Sequence, residues 1–70
     1  MPEYNRIRIL LAEQGHKSAW LAEQLDVAKG TVSRWVWNKS QPNVAMLFRI
    51  AAVLDVDVRE LLVSTKVAED

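Results

Sequence analysis

Apolar residues recur along this chain three and four positions apart and never alternate with period two over a useful length. The pattern therefore predicts helices and no sheet. Ile7, Leu10 and Leu11, followed by Gln14, make a first stripe; Pro2 and Glu3 suit its start, and Gly15 can supply a left-handed turn at its end. A second helix covers about Ser18 to Leu25, with Leu21, Ala22 and Leu25 inward. After a tight turn centred on Asp26 and Val27, a third runs from about Lys29 to Trp37. Its apolar face is Val32, Trp35 and Val36, and its opposite face carries Gly30, Ser33, Arg34 and Trp37.

Asn38 then stands where positive φ is expected, which asparagine tolerates better than most residues. Lys39 to Pro42 is a polar loop, and Asn43 is a good N-cap for a helix carrying Val44, Leu47, Phe48, Ala51 and Leu54 on one side. Asp57 with Glu60 three residues on makes a capping-box start for a last short helix, with Val58, Leu61 and Leu62 as its apolar side. Ser64 to Asp70 reads as a fraying tail. The fold class is thus all-α: a compact bundle of five short helices in one domain spanning 1–70, with an ordered core over about 3–63.

Composition narrows the function. Seventy residues sit near the lower size limit for folding without staples, and the chain has no cysteine to form a disulfide or a thiolate metal site. Half the residues are hydrophobic, yet no run approaches the 20 or so that a membrane span requires. No basic segment followed by an apolar one marks a signal peptide, so a cytoplasmic setting is expected. His16 has no cysteine or acidic cluster at ligand spacing, no serine stands in a nucleophile elbow, and no glycine-rich loop could cradle a nucleotide. Neither an enzyme, nor a cofactor, nor a small-molecule effector is expected.

Net charge is zero but unevenly spread. Residues 16–49 carry Lys17, Lys29, Arg34, Lys39 and Arg49 against Glu23 and Asp26, five minus two, a net +3. Residues 50–70 carry Arg59 and Lys66 against Asp55, Asp57, Glu60, Glu69 and Asp70, two minus five, a net −3. A basic middle can present a positive face to phosphates; ordinary solvated charge reads the same way.

A short amphipathic helix, a tight turn and a second helix with an uncovered polar face are what a helix-turn-helix needs to enter the DNA major groove. Several segments then fall in one order: LAEQLDV (Leu21, Ala22, Leu25, Val27), TVSRW (Thr31 to Trp35), Asn38-Lys39, Pro42, LFRIAAVLDV and a closing REL. On these the chain resembles the phage-repressor helix-turn-helix family (Cro/CI-like, or XRE) over about residues 5–62. The resemblance implies five helices around one core, helix 3 reading bases and helix 2 lying across the DNA backbone. By position it puts Lys29, Gly30, Ser33 and Arg34 on the base-facing side. It puts Lys17, Ser18, Thr31, Asn38, Lys39 and Ser40 where phosphate or backbone contacts are usual. Trp37, on the outward face near the helix end, could offer its indole N–H to a phosphate or pack on a neighbouring loop.

The departures carry information. Lys17 and Ala28 stand where the family usually has a capping serine or threonine. A lysine at a helix N-terminus opposes the dipole, but a docked phosphate would reverse the sign. A cap shifted to Ser18 is the alternative. Leu11 and Val36 occupy the places of a common buried arginine–glutamate pair. Losing one partner would cost about 3–5 kcal/mol, whereas replacing both is often neutral or stabilising. Packing is then expected to hold these helices without a polar fastener.

Arg34 is the leading base-reading residue, since a guanidinium can bind guanine O6 and N7 together. Lys29 could reach a base edge or a phosphate. Gly30 either permits close approach to DNA or marks a frayed first turn. Trp35 belongs to the core, and Trp20, half exposed, has no assigned role. Ile9, Val63 and Val67 are scattered surface apolars or a dimer patch. The reading is a DNA-binding transcriptional regulator, a repressor before an activator, dimeric on duplex DNA. Its rival is a protein-interaction module of antitoxin or adaptor type.

Overall fold

The computed structural model describes residues 3–66. Four α-helices, α1 (Ile7–Gln14), α2 (Ser18–Leu25), α3 (Lys29–Val36) and α4 (Val44–Leu54), precede a single 3₁₀ turn, Val58–Leu61. The fifth helix expected from the sequence is that turn. Its capping box is present, with Asp57 and Glu60 bonding each other's backbone, but the backbone turns extended at Leu62 before an α-helical turn can form. Arg59 donates to Asp57 as well, which holds that exposed carboxyl below its usual range.

All four helices close in the same way. A residue with positive φ follows the last turn, and two N–H groups fold back onto the carbonyls left open there. Gly15 does this for α1, with φ 74°; Asp26, Asn38 and Asp55, each with φ between 55 and 57°, serve α2, α3 and α4. Asparagine and aspartate reach this region because their short polar side chains can bond locally. Two long-range caps add to the closures: Arg49 donates to the Leu25 carbonyl at 2.9 Å, and Gln14 to the Leu54 carbonyl at 2.8 Å. Arg49 thus serves as a clasp between α4 and the end of α2.

Fourteen apolar side chains from every element form one core. The most extensive packing joins α2 to α3, while α4 braces α2 and the 3₁₀ turn. On α4 the stripe expected to face inward is rotated. Leu47, Ile50, Ala51 and Leu54 are buried, whereas Val44 and Phe48 are 68% and 59% exposed. A helix apolar almost all round offers more than one regular stripe, and packing against α2 and the 3₁₀ turn selects between them. Leu62 is likewise exposed, at 45%, instead of lining the core.

The start of the chain also departs from expectation. Helix α1 begins at Ile7 and not near Glu3, because Asn5 accepts the Ile7 N–H on its side-chain oxygen at 3.1 Å and ends the extended segment before it. That segment pairs antiparallel with the residues after the 3₁₀ turn: Arg6 N–H to Leu61 O at 2.8 Å, Val63 N–H to Tyr4 O at 3.0 Å. Among the described residues this is an isolated bridge, not a sheet. Of the tail read from Ser64 onward, Val67–Asp70 lie outside the described residues; Ser64 forms a small turn with Lys66. No helix of the described residues is long and apolar enough to cross a membrane.

Candidate nucleic-acid interface

Helix α3 is divided sharply into two faces. Val32, Trp35 and Val36 are buried, Trp35 to 6% exposure, and Lys29, Gly30, Thr31, Ser33 and Arg34 face solvent. Among the described residues the ion pairs are Arg8–Glu3 and Arg59–Asp57, so Lys17, Lys29, Arg34 and Lys39 are all unpaired. With side chains an α-helix is about 10–12 Å across, a match for a B-DNA major groove about 12 Å wide. The backbone of Arg34 is fixed although its side chain is free. Its carbonyl accepts the N–H groups of Lys39 at 2.9 Å and Ser40 at 3.4 Å, so the loop that follows is anchored to the same residue.

The N-termini of α2 and α3 are bare. Lys17 and Ala28 are the N-cap residues, neither makes a side-chain cap, and neither helix has an acid in its first turn. Ser18 is already helical, so the cap is not shifted to it. Elsewhere the helix starts are served by side chains: Asn5 for α1, Asn43 for α4, Asp57 for the 3₁₀ turn. The two helices of the helix-turn-helix therefore keep their first N–H groups available to an outside acceptor.

Asn38 departs from its expected role. Its φ of 57° is as anticipated, but the side chain turns inward and its polar atoms are engaged by the protein itself. Its oxygen accepts the N–H groups of Tyr4 at 2.8 Å and Asn5 at 3.0 Å and an amide proton of Gln41 at 3.2 Å, and its own amide donates to Asn5 O. Asn5 completes the knot by donating to Trp35 O at 3.0 Å and to Gln41 at 2.7 Å. Leu11 and Val36 are buried and pack without a polar fastener as expected, and a separate polar knot ties the start of the chain to the end of α3. It fixes the C-terminal end of the exposed helix.

Trp37 is 60% exposed, with the Arg8 guanidinium 5.3 Å from its ring centroid. Trp20 is half-buried and stacks on His16, ring centroids 3.6 Å apart and planes within 5°. This gives a role to a residue that had none: it pins the α1–α2 corner next to Lys17.

The helix-turn-helix family model matches residues 7–61. This chain belongs to that family. As a helix-turn-helix protein of the phage-repressor type it has relatives among solved structures. A Bacteroides fragilis protein described as a candidate DNA-binding protein is 48% identical, with a TM-score of 0.81, covering 83% of this chain and 94% of its own. A transcriptional regulator from Listeria innocua is 25% identical, with a TM-score of 0.69, covering 94% of this chain and 66% of its own. A comparison with curated proteins gives no match.

In this helix-turn-helix protein Gly30 can be assigned by experiment. A methyl group built on it meets nothing within 4 Å. Gly30→Ala should therefore stabilise the free protein through helix propensity, by less than the roughly 0.8–1.0 kcal/mol of a helix interior because Gly30 lies in the first turn. A gain in melting temperature together with weaker DNA binding identifies Gly30 as a point of close backbone approach. A gain in both would leave it as a poorly formed first turn.

Proposed function

We propose that this protein is a sequence-specific regulator of transcription that binds duplex DNA, with α3 in the major groove and α2 across the phosphate backbone. The observation that carries the reading is the bare, unpaired face of Lys29, Gly30, Ser33 and Arg34, held outward by the burial of Val32, Trp35 and Val36. Lys29, Ser33 and Arg34 would read base edges. Lys17, Thr31, Trp37, Lys39 and Ser40, with the free N–H groups at Ser18, would hold phosphates. The descriptions of the Bacteroides and Listeria proteins support the same assignment. Repression follows most simply, because a domain that occupies an operator blocks it without any further surface. Two copies about 34 Å apart on one face of DNA would give a two-fold site, and exposed Ile9, Val63, Val44 and Phe48 support pairing. The setting is cytoplasmic.

The exposed apolar pair Val44 and Phe48 also favours a second reading, a module that binds another protein. Titration with random duplex DNA separates the two. Binding that collapses as salt rises supports the regulator; no binding at low salt defeats it.

Lys17 offers a sharper check. Lys17→Ser supplies the missing cap and should stabilise the free protein by about 0.5–2 kcal/mol. It should also weaken binding to every sequence and reduce the salt slope by about 0.9, one phosphate's worth. Greater stability with an unchanged slope would remove Lys17 from the contacts.

A further inference from the structure

Helix α1 contributes nothing to the interface described so far, yet one of its cations borders it. Arg8 lies against the indole of Trp37 at the end of α3, across 29 residues of sequence. A groove of about 270 Å³ separates this pair from the start of α2; its walls are Arg8, His16, Ser18 and Trp37, and its floor includes Leu11 and Val36. The apolar floor is what remains where the family often places an ion pair. It leaves the guanidinium of Arg8 as the groove's own fixed positive charge.

We propose that Arg8 is an additional ligand of the DNA backbone, a phosphate clamp carried on α1 and aimed by Trp37. The proposal rests on the DNA-binding reading above and extends the contact surface to an element that reading leaves out. A cation over an indole face is held there by the ring's quadrupole, a flat guanidinium better than a compact ammonium, and the contact restricts a long side chain before any ligand arrives. The clamp therefore loses little freedom when a phosphodiester docks. The present partner of Arg8 is Glu3, at 3.7 Å with both side chains half exposed or more. A pair so open to water is weak and exchangeable. A phosphate can displace Glu3 while Trp37 keeps the guanidinium in place.

The test uses the full chain and a duplex obtained by selection from random DNA, with affinity measured against salt concentration. Arg8→Gln should lower the salt slope by about 0.9, so that its affinity deficit shrinks about threefold between 50 and 200 mM salt. The deficit should be equal on selected and random duplexes, because phosphates carry no sequence. Arg8→Lys should keep the slope and bind more weakly, having charge without the flat guanidinium. Glu3→Gln should strengthen binding at low salt by freeing the clamp.

Wild-type binding that depends on salt, combined with an unaltered slope in Arg8→Gln, overturns the clamp and leaves the DNA-binding reading intact. An unaltered slope with lower affinity means that Arg8 only props Trp37, and it overturns the clamp equally. Absence of salt-dependent binding by the wild type defeats the functional reading itself.

Discussion

Asn38→Ala is expected to lower the stability of this protein by at least about 3 kcal/mol. Two effects add. The side-chain oxygen satisfies the N–H groups of Tyr4 and Asn5 in a buried or part-buried setting, and stranding such a donor costs about 1–3 kcal/mol each. Alanine at a φ of 57° adds about 1–2 kcal/mol, because its Cβ crowds the following carbonyl. Against the roughly 5–15 kcal/mol typical of folded domains, and the lower end expected at this size, that is most of the available stability. Asn38→Gly separates the two effects, since it keeps the left-handed turn and loses only the hydrogen bonds. Urea melts should therefore rank wild type above Asn38→Gly and Asn38→Gly above Asn38→Ala. An alanine variant as stable as the glycine one would contradict the strain, and one as stable as wild type would contradict the whole network. Asn5→Ala combined with Asn38→Ala should cost clearly less than the two singles summed, because both cut one knot.

That knot also marks the boundary of what the sequence could tell. The ends of α2 and α3, the positive φ of Asn38, the Asp57–Glu60 box and the outward Arg34 beside an inward Trp35 were legible, because each is set by residues within one or two turns. The destination of the Asn38 side chain was not. Its partners stand 33 and 34 residues away, and an asparagine suited to a turn looks the same whether its amide faces water or another loop. On α4 the expected stripe was right at Leu47, Ala51 and Leu54 and wrong at Val44 and Phe48, because the helix is apolar almost all round and packing against α2 and the 3₁₀ turn, remote in sequence, decides that Ile50 faces inward instead. Asp26 and Asp55 close helices in a place where glycine would be the plainer signal. At the interface, the missing caps at Lys17 and Ala28 were visible as departures from a resemblance, while Arg8 was hidden by its distance in sequence from Trp37.

Arg34→Ala should leave the fold nearly untouched and change what the protein reads. The side chain is exposed and the ordering of the Lys39–Ser40 loop depends on its backbone carbonyl, so stability should stay within about 0.5 kcal/mol. A bidentate contact to guanine is worth about 1–3 kcal/mol of discrimination, or roughly 5- to 150-fold between the preferred base pair and its replacements. Selection from random duplexes should therefore yield for the variant a consensus that matches the wild type except at one base pair per half-site, where preference is lost. Lys39→Ala provides the contrast: it should weaken every sequence alike and flatten the salt slope by about 0.9, because a phosphate contact positions without specifying. If Arg34→Ala behaved like Lys39→Ala, with uniform loss and an unaltered consensus, Arg34 would be a phosphate ligand. Base reading would then fall to Lys29 and Ser33. The two variants discriminate cleanly because neither side chain is tied to the protein, so any change they cause must be expressed at the surface that meets DNA.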